Sequence, residues 1–259
     1  MDRSLVVLSG GHPFEEEPFA RLLASLNGWH VDHLRHPDAE ERVAGGAIDD
    51  ADAVLFYDMP GYDFADGAVK MSPPGDAFKN KLRARFTAGK GAVAMHHAIG
   101  GWALWPEWSE WIGGRFLYQP GEVRGAAKPD SGYRHDVDYT ASVLTDHPVT
   151  KGVPHEFAVK DELYLAEIFT DAVTPLLASD YDYTRSNFYS AAQAIAGKMF
   201  SNEGWSHDDG SNLVGWVSRA INADLVYLQF GDGPAAYENP HCRRLLANAL
   251  DFIAKGNTA

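Results

Sequence analysis

The sequence has a single cysteine, few basic residues and no long hydrophobic run. Cys242 is the only cysteine among 259 residues, which excludes an intramolecular disulfide framework and a cysteine-built metal site. Lysine and arginine number 22 against 36 aspartates and glutamates, a formal net charge of -14. Nucleic acids and anionic membrane surfaces attract basic proteins, so neither is expected as a partner. No apolar run approaches the roughly 18 residues of a membrane span, and the predicted location is cytoplasmic.

What is present is an ordinary globular composition, 45% hydrophobic and 22% charged, arranged in a regular alternation. Short apolar runs of strand length alternate with amphipathic segments of helical period. The predicted strands are 4–9, 29–34, 53–57, 91–96, 213–218 and 224–230. The predicted helices are 15–27, 38–44, 75–88, 106–112 and 240–255. This rhythm predicts an α/β fold: a doubly wound, mainly parallel sheet with helices on both faces.

The middle of the chain departs from that rhythm. Residues 113–210 are less regular and richer in glycine, proline, aspartate and tyrosine. We interpret this stretch as one or two extra strands with long loops packed beside the sheet. Because the first and last segments share one pattern, the prediction is a single α/β domain over residues 1–259, with the irregular stretch as an insertion.

Polar residues follow the predicted strands at their carboxyl ends, where open α/β sheets bind ligands. The residues expected at this edge are Gly10, Gly11, His12, Asp58, His96, His97 and Asp232. The glycines could equally only shape a turn, and both aspartates could be turn formers or helix caps. Successive strand residues point to opposite faces, so His96 and His97 share the site only if the strand ends between them. His97, at the turn, is the preferred functional histidine, and His96 could equally be a buried structural one.

Two further groups are candidates for binding or catalysis. Tryptophans recur every three residues from Trp102 to Trp111, but Pro106 should begin a helix, which assigns Trp108 and Trp111 to the core. Trp102, in the loop before that helix, is the candidate platform for a sugar. Asp161 and Glu162 stand among apolar residues in an extended segment, where a carboxylate is suited to acid–base work or metal binding. The alternative is an exposed edge strand with its charges in water.

Several motifs together resemble the ThuA-like family, named for trehalose utilisation and related in fold to class I glutamine amidotransferases. The matching pieces are Leu8–His12, His96–Ala98, Ile112–Phe116, His147–Pro154, Asp161–Tyr164 and Gly215–Val217. The resemblance implies a flavodoxin-like sheet and a role in sugar metabolism, where some members are linked to oxidised (3-keto) disaccharides. Two segments depart from the family pattern. The usual Gly-Lys-Gly-Arg hairpin is replaced by Ala220–Asp224, and the usual Gly-His after the last strand is Gly231-Asp232.

The resemblance also carries an exclusion. Amidotransferases of this fold use a cysteine nucleophile at a turn after a sheet strand, and here that turn holds His96, His97 and Ala98. Cys242 lies in the predicted last helix, far from the sheet edge. A glutaminase reaction through a thiolate is therefore not expected.

The leading hypothesis is an enzyme that acts on a neutral carbohydrate, an oxidised (3-keto) glycoside or disaccharide, by proton transfer. His97 or Glu162 would serve as base, and amides of Gly10 and Gly11 or a bound divalent ion would stabilise the oxyanion. The predicted catalytic residues are His97, Glu162, His96 and Asp161. The predicted substrate-binding residues are Gly10, Gly11, His12, Asp58, Trp102, Tyr164 and Asp232. A divalent metal ion, if one is used, is expected on His12, His97 and Glu162.

Two alternatives remain open at this point. One is a non-catalytic sugar-binding or scaffold module, motivated by the departure at Asp232. The other is a hydrolase of a small ester, lactone or amide through Ser9, although no Gly-x-Ser-x-Gly elbow is present. Exposed aromatic loops leave open whether the chain forms a homo-oligomer.

Overall fold

The structure, a computed structural model, describes residues 3–256. Residues 1, 2 and 257–259 of the predicted 1–259 domain lie outside the described part of the chain. The strands, numbered along the chain, are β1 (Arg3–Gly10), β2 (Trp29–Arg35), β3 (Ala53–Asp58), β4 (Tyr62–Asp63), β5 (Lys70–Met71), β6 (Ala92–Met95), β7 (Gly114–Arg115), β8 (Gly121–Val123), β9 (Ala126–Lys128), β10 (Gly132–Val143), β11 (Glu156–Leu165), β12 (Glu167–Ile168), β13 (Thr174–Ser179), β14 (Tyr189–Ser190), β15 (Leu213–Ala220) and β16 (Ala223–Leu228).

Helices pack against this framework on both sides. They are α1 (Glu16–Ala24), α2 (Asp38–Ala44), α3 (Asp76–Thr87), α4 (Pro106–Ile112), α5 (Ala191–Ile195), α6 (Pro234–Glu238) and α7 (Pro240–Ala254). Short 3₁₀ turns lie at 65–67, 96–100, 148–150 and 185–187. Proline stands in the first turn of α4, α6 and α7, where its missing N–H costs no hydrogen bond.

One ten-stranded sheet runs through the molecule in the order β11-β10-β13-β15-β16-β6-β3-β1-β2, with β14 beside β10. The strands β2, β1, β3, β6 and β16 are mutually parallel, and we call them the parallel half. Their carboxyl ends therefore meet at one edge, as the alternation of strands and helices predicts. The prediction of an α/β fold, a doubly wound, mainly parallel sheet with helices on both faces, is confirmed.

The remaining strands, β15, β13, β10 and β11 with β14, pair antiparallel, and we call them the antiparallel half. Most of the stretch predicted as an irregular insertion lies here. The prediction was that this stretch packs beside the sheet. Instead, its long strands β10 and β11 extend the same sheet. Hydrogen bonding across β15 and β16 makes the two halves continuous.

The core fills both faces of the sheet because successive residues of a strand such as β1 are apolar and point alternately to the two faces. Leu5 and Val7 of β1 belong to the cluster that includes α1 and α7, whereas Val6 and Leu8 belong to the cluster that includes α2, α3 and α4. Leu245, Leu246 and Leu250 give α7 its fully buried face. Within residues 3–256, no helix combines the length and the apolar character needed to cross a bilayer.

Candidate active site

The turn that follows β6 carries the central residue of the site. β6 ends at Met95, and His96 adopts a left-handed backbone with φ of 53°. The strand thus ends before the histidine pair, so His96 and His97 are not constrained to opposite faces of a strand. A non-glycine residue in this backbone region is uncommon and is frequently found at functional sites.

His96 is completely buried and is oriented by hydrogen bonds at both ring nitrogens. Its Nδ1–H donates to the carbonyl oxygen of Gln229 at 2.7 Å. Its Nε2 lies 2.8 Å from the Tyr164 hydroxyl, 3.2 Å from Oε2 of Glu162 and 3.8 Å from Oδ1 of Asp232. The sequence favoured His97 as the functional member of the pair, but His96 is the one that lies among the carboxylates.

The antiparallel half supplies Glu162 through an irregularity in strand pairing. Arg134 pairs with Leu163 and Val137 pairs with Asp161, so two residues of β10, His135 and Asp136, oppose Glu162. Such a bulge re-aims side chains. Here the bulge brings His135 to Glu162, with a distance of 3.1 Å between Nδ1 and Oε1. Glu162 therefore contacts a histidine through each of its carboxylate oxygens.

Asp161 and Glu162 are neighbours on β11 and point to opposite faces, so they do different things. Asp161 is buried and accepts backbone N–H bonds from Gly231 at 2.6 Å and Asp232 at 3.0 Å. It therefore holds the turn after β16 and positions Asp232. The predicted catalytic role of Asp161 is replaced in the geometry by this positioning role.

Burial and charge shift the pKa values of these groups in different directions. Burial lowers the pKa of His96, but the contact with Glu162 and the charges of Asp161 and Asp232 outweigh it and raise the pKa to about 9. Asp232 and Glu162 raise the pKa of His135. Burial raises the pKa of Asp161 to about 7. Burial also opposes ionisation of Asp232, yet His135 and His96 lower its pKa.

A cavity of about 180 Å³ opens over this cluster. That is smaller than the ~300–1,000 Å³ typical of pockets for drug-sized ligands and suits a ligand such as one sugar ring. Its lining combines aromatic walls with imidazole and carboxylate groups. The lining residues are His12, Phe116, Tyr118, Tyr133, His135, Glu162, Tyr164, Ala191, Ala194, Ile195 and Met199.

His12 enters this cavity from the loop after β1. Its Nδ1 lies 2.8 Å from the carbonyl oxygen of Pro13, which can only accept, so Nδ1 carries the proton. Burial lowers the pKa of His12, which keeps the ring neutral and leaves Nε2 as a proton acceptor. His97 stacks on His12 with ring centroids 4.8 Å apart, and its own Nε2 lies 3.3 Å from the Tyr57 carbonyl. His97 is thus behind His12 rather than in the cavity lining.

The glycine pair before His12 is required by the backbone. Gly10 and Gly11 have φ of 100° and 79°, a region that favours glycine. A Cβ on Gly11 would lie 2.2 Å from the carbonyl oxygen of Met59. The turn-shaping interpretation of these glycines is therefore sufficient to explain them, and the predicted oxyanion role is not needed.

Two predicted ligand residues lie away from the cavity. Trp102 is only 4% exposed and packs in the core against Phe78, with ring centroids 5.3 Å apart, so it is not a platform for a sugar. Asp58 is 1% exposed and its Oδ2 accepts a hydrogen bond from Nε2 of His36 at 2.8 Å. Both residues are buried, and neither lines the cavity.

Ser9 and Cys242, the two nucleophiles weighed from the sequence, are also enclosed. The Ser9 Oγ lies 2.7 Å from Nε2 of His33, but Ser9 is fully buried and does not line the cavity, so its burial gives no support to the hydrolase alternative. Cys242 is buried in α7, and burial raises the pKa of its thiol. His96 stands at the turn after β6, and no thiolate of the described residues lines the cavity.

Sequence reasoning missed His135 and the aromatic walls formed by Phe116, Tyr118 and Tyr133. It also proposed His12, His97 and Glu162 as metal ligands, whereas the group whose donor atoms converge is His96, Glu162 and Asp232. His97 fails as a ligand because it faces His12 and the Tyr57 carbonyl. The alternation of buried and exposed side chains in residues 132–143 is a signal that could have found β10. No local signal indicates the bulge that brings His135 to Glu162.

The fold and the site together define a class: an α/β protein of flavodoxin-like and amidotransferase-like fold, with histidines and carboxylates at the carboxyl edge of its parallel strands. Within that class, the ThuA family model, described as trehalose utilisation, matches residues 11–253. The chain therefore belongs to the ThuA family, which is related to trehalose utilisation.

Solved structures agree with this fold. A ThuA-like protein from Parabacteroides merdae has a TM-score of 0.68 at 15% identity, covering 100% of this chain and 93% of that one. One from Bacteroides uniformis has a TM-score of 0.62 at 17% identity, covering 97% and 90%. PurLQS from Thermotoga maritima has a TM-score of 0.53 at 10% identity, covering 97% and 99%. No curated protein matches the sequence.

Proposed function

We propose that this protein is an enzyme of carbohydrate metabolism that acts on a neutral, oxidised (3-keto) glycoside by proton transfer. One observation carries the proposal: a single cavity between aromatic walls is lined by His12, Glu162 and Tyr164. The contact of His12 Nδ1 with the Pro13 carbonyl leaves Nε2 as the proton acceptor, and Glu162 and Tyr164 both contact the buried His96. A proton acceptor facing a group that stabilises negative charge is the arrangement needed to remove a proton beside a carbonyl.

The walls of the cavity support a carbohydrate. Phe116, Tyr118, Tyr133 and Tyr164 offer aromatic faces, against which the apolar face of a sugar ring can pack. No lysine or arginine is among the residues that line the described cavity, so it offers no fixed cation for a phosphate or carboxylate. A neutral substrate fits this lining and the chain's net charge of -14.

His12 is the proposed base. His97 and Glu162, the two bases considered from the sequence, are both engaged: His97 with the Tyr57 carbonyl, and Glu162 with two histidines. The Nε2 of His12 takes the proton from the carbon beside the keto group. The electron pair of that C–H bond forms the enolate, whose negative oxygen is stabilised by the Tyr164 hydroxyl with His96 behind it.

Elimination completes the reaction without two opposed catalytic carboxylates. The enolate reforms the carbonyl, its electron pair makes a carbon–carbon double bond to the anomeric carbon, and the glycosidic C–O bond breaks. The departing oxygen takes the proton that His12 removed. The products are an unsaturated keto sugar and a free alcohol or sugar, with no oxidant or reductant consumed.

The test is solvent hydrogen exchange and cleavage of a 3-keto disaccharide, followed by NMR in D₂O. Wild type should incorporate deuterium beside the keto group and release the second sugar. His12→Asn should lower both rates by about 10²–10⁴, the usual contribution of a general base.

The matched control is His30→Asn, an exposed position on β2, which should behave as wild type. Equal exchange by His12→Asn and wild type would show that His12 is not the base. Tight binding of the 3-keto disaccharide with neither exchange nor cleavage would overturn the enzymatic proposal and favour a sugar-binding module.

A further inference from the structure

The carboxylates around His96 are short of fixed positive charge. Glu162 is 4% exposed, Asp161 is 5% exposed, and Asp232 reaches the same ring. Among the described residues, no lysine or arginine forms an ion pair with any of the three, and the contacts of Glu162 and Asp232 are with His96 and His135. Buried carboxylates need a compensating cation, and a divalent metal ion beside the two histidines would supply one.

The donor atoms converge toward the spacing that a metal ion imposes. The Nε2 of His96, a carboxylate oxygen of Glu162 and one of Asp232 all lie within 4.8 Å of one another. Nε2 is 3.2 Å from the Glu162 oxygen and 3.8 Å from the Asp232 oxygen. Ligands held at about 2.0–2.2 Å from a first-row ion lie about 3.0–3.6 Å apart. Asp232 is the donor farthest from His96, and its side chain is 37% exposed, so it is the ligand that would have to move toward the ion.

His96 also has the outer contact that metal-binding histidines use. Its Nδ1–H is fixed on the Gln229 carbonyl at 2.7 Å, which sets the tautomer and aims Nε2 at the carboxylates. His135, 3.1 Å from the second oxygen of Glu162, is placed to orient that carboxylate or to complete the ligand set. Asp161 in turn fixes the backbone of Asp232.

We propose that His96, Glu162 and Asp232, with His135 beside them, form a binding site for one divalent transition-metal ion of the Zn²⁺ or Mn²⁺ type. Imidazole nitrogen with carboxylate oxygen suits these ions, whereas Mg²⁺ and Ca²⁺ prefer sets made of oxygen alone. Three protein ligands would leave at least one coordination position for water or substrate, and one of the three, Glu162, also lines the cavity. The inference does not depend on the proposed reaction, because metal binding is measured without substrate.

The experiment is isothermal titration of chelator-stripped protein with Zn²⁺, Mn²⁺, Mg²⁺ and Ca²⁺, with elemental analysis of the loaded protein. Wild type should bind one Zn²⁺ or Mn²⁺ per chain. Glu162→Gln and Asp232→Asn should each raise the Kd at least about 100-fold, since loss of an outer contact alone costs about 10–100-fold. Glu156→Gln on the same strand and Asp138→Asn on β10, both exposed, are the matched controls and should bind as wild type.

Thermal unfolding of each apo variant checks that it is folded, and Asp232→Asn decides alone if Glu162→Gln does not fold. Unchanged affinity in Asp232→Asn, or Mg²⁺ and Ca²⁺ binding as tightly as Zn²⁺ and Mn²⁺, would overturn the site. Metal binding without exchange of a 3-keto sugar would leave this site standing and refute the proposed reaction. If the protein binds no added ion but still exchanges hydrogen of the 3-keto sugar with solvent, the metal site is refuted and the proposed reaction stands.

Discussion

The two halves of the sheet contribute to the site in different ways. The parallel half delivers His12, His96 and Asp232 from turns that follow β1, β6 and β16. The antiparallel half delivers Glu162, His135 and the aromatic walls from side chains within β10 and β11. Strand ends of a parallel sheet converge by topology alone, whereas the antiparallel contribution depends on register and on one bulge.

The difference teaches where each half is sensitive to change. On the parallel side, the backbone of a turn decides whether a side chain reaches the site, so glycine positions matter most. On the antiparallel side, the identity and pairing of strand residues matter most. Three substitutions with matched controls separate these effects, beginning with the largest expected loss.

Gly11→Ala should destabilise the parallel edge strongly. The added Cβ would meet the Met59 carbonyl oxygen at 2.2 Å, and the residue must keep φ of 79°. Overpacking against backbone plus left-handed strain should cost about 2–4 kcal/mol of unfolding free energy. Urea denaturation measures this loss.

The control is Gly28→Ala, with φ of 80° and nothing within 4 Å of the added Cβ. It bears the strain without the clash and should cost about 1 kcal/mol. Equal losses in the two variants would mean that the close approach of the turn after β1 to Met59 is not what requires glycine at residue 11.

This asymmetry also explains how much could be predicted from the sequence. The bounds of α2 and α4 agree with the predicted 38–44 and 106–112, because the proline at the start of each helix and the glycine after its end are local signals. The convergence of His12, His96 and Asp232 follows from the order of strands and helices and needs no coordinates. Glu162 and Tyr164 were found through the family resemblance and their apolar setting.

What could not be predicted depends on contacts distant in sequence. His135 opposes Glu162 only because β10 bulges between Arg134 and Val137. The sequence predicts His97 as the functional histidine and does not predict that His96 contacts the carboxylates, because nothing local indicates that the backbone turns at His96 with φ of 53°. Trp102 was misplaced because its burial depends on Phe78 in α3, a helix that packs beside it only in the folded chain.

Asp161→Asn should weaken the connection between the halves. The Asp161 carboxylate accepts two N–H bonds from the turn after β16, at 2.6 and 3.0 Å, through two different oxygens. An amide offers one oxygen, so one buried donor loses its partner, at a cost of about 1–3 kcal/mol.

Urea denaturation measures the stability of Asp161→Asn, and titration with Zn²⁺ reports whether Asp232 has moved. Asp138→Asn, exposed on the adjacent strand, is the control and should change neither quantity. If the variant is as stable as wild type, the hydrogen bonds of Asp161 do not stabilise the connection between β11 and the turn after β16.

The smallest effect compares one aromatic side chain from each half. Tyr133 of β10 lines the cavity, whereas Trp102 lies in the core beside the parallel strands. On the proposed function, Tyr133→Leu removes a ring against which the sugar would pack. It should therefore raise KM for a 3-keto disaccharide roughly 2- to 10-fold, as loss of about 0.5–1.5 kcal/mol of aromatic contact requires. Trp102→Phe should lower thermal stability and leave KM within about twofold of wild type.

Steady-state kinetics at a temperature where both variants are folded makes the comparison. If Trp102→Phe raised KM as much as Tyr133→Leu, aromatic residues beside the parallel strands would contribute as much to sugar binding as those of β10. The aromatic part of the binding site would then not belong to the antiparallel half alone.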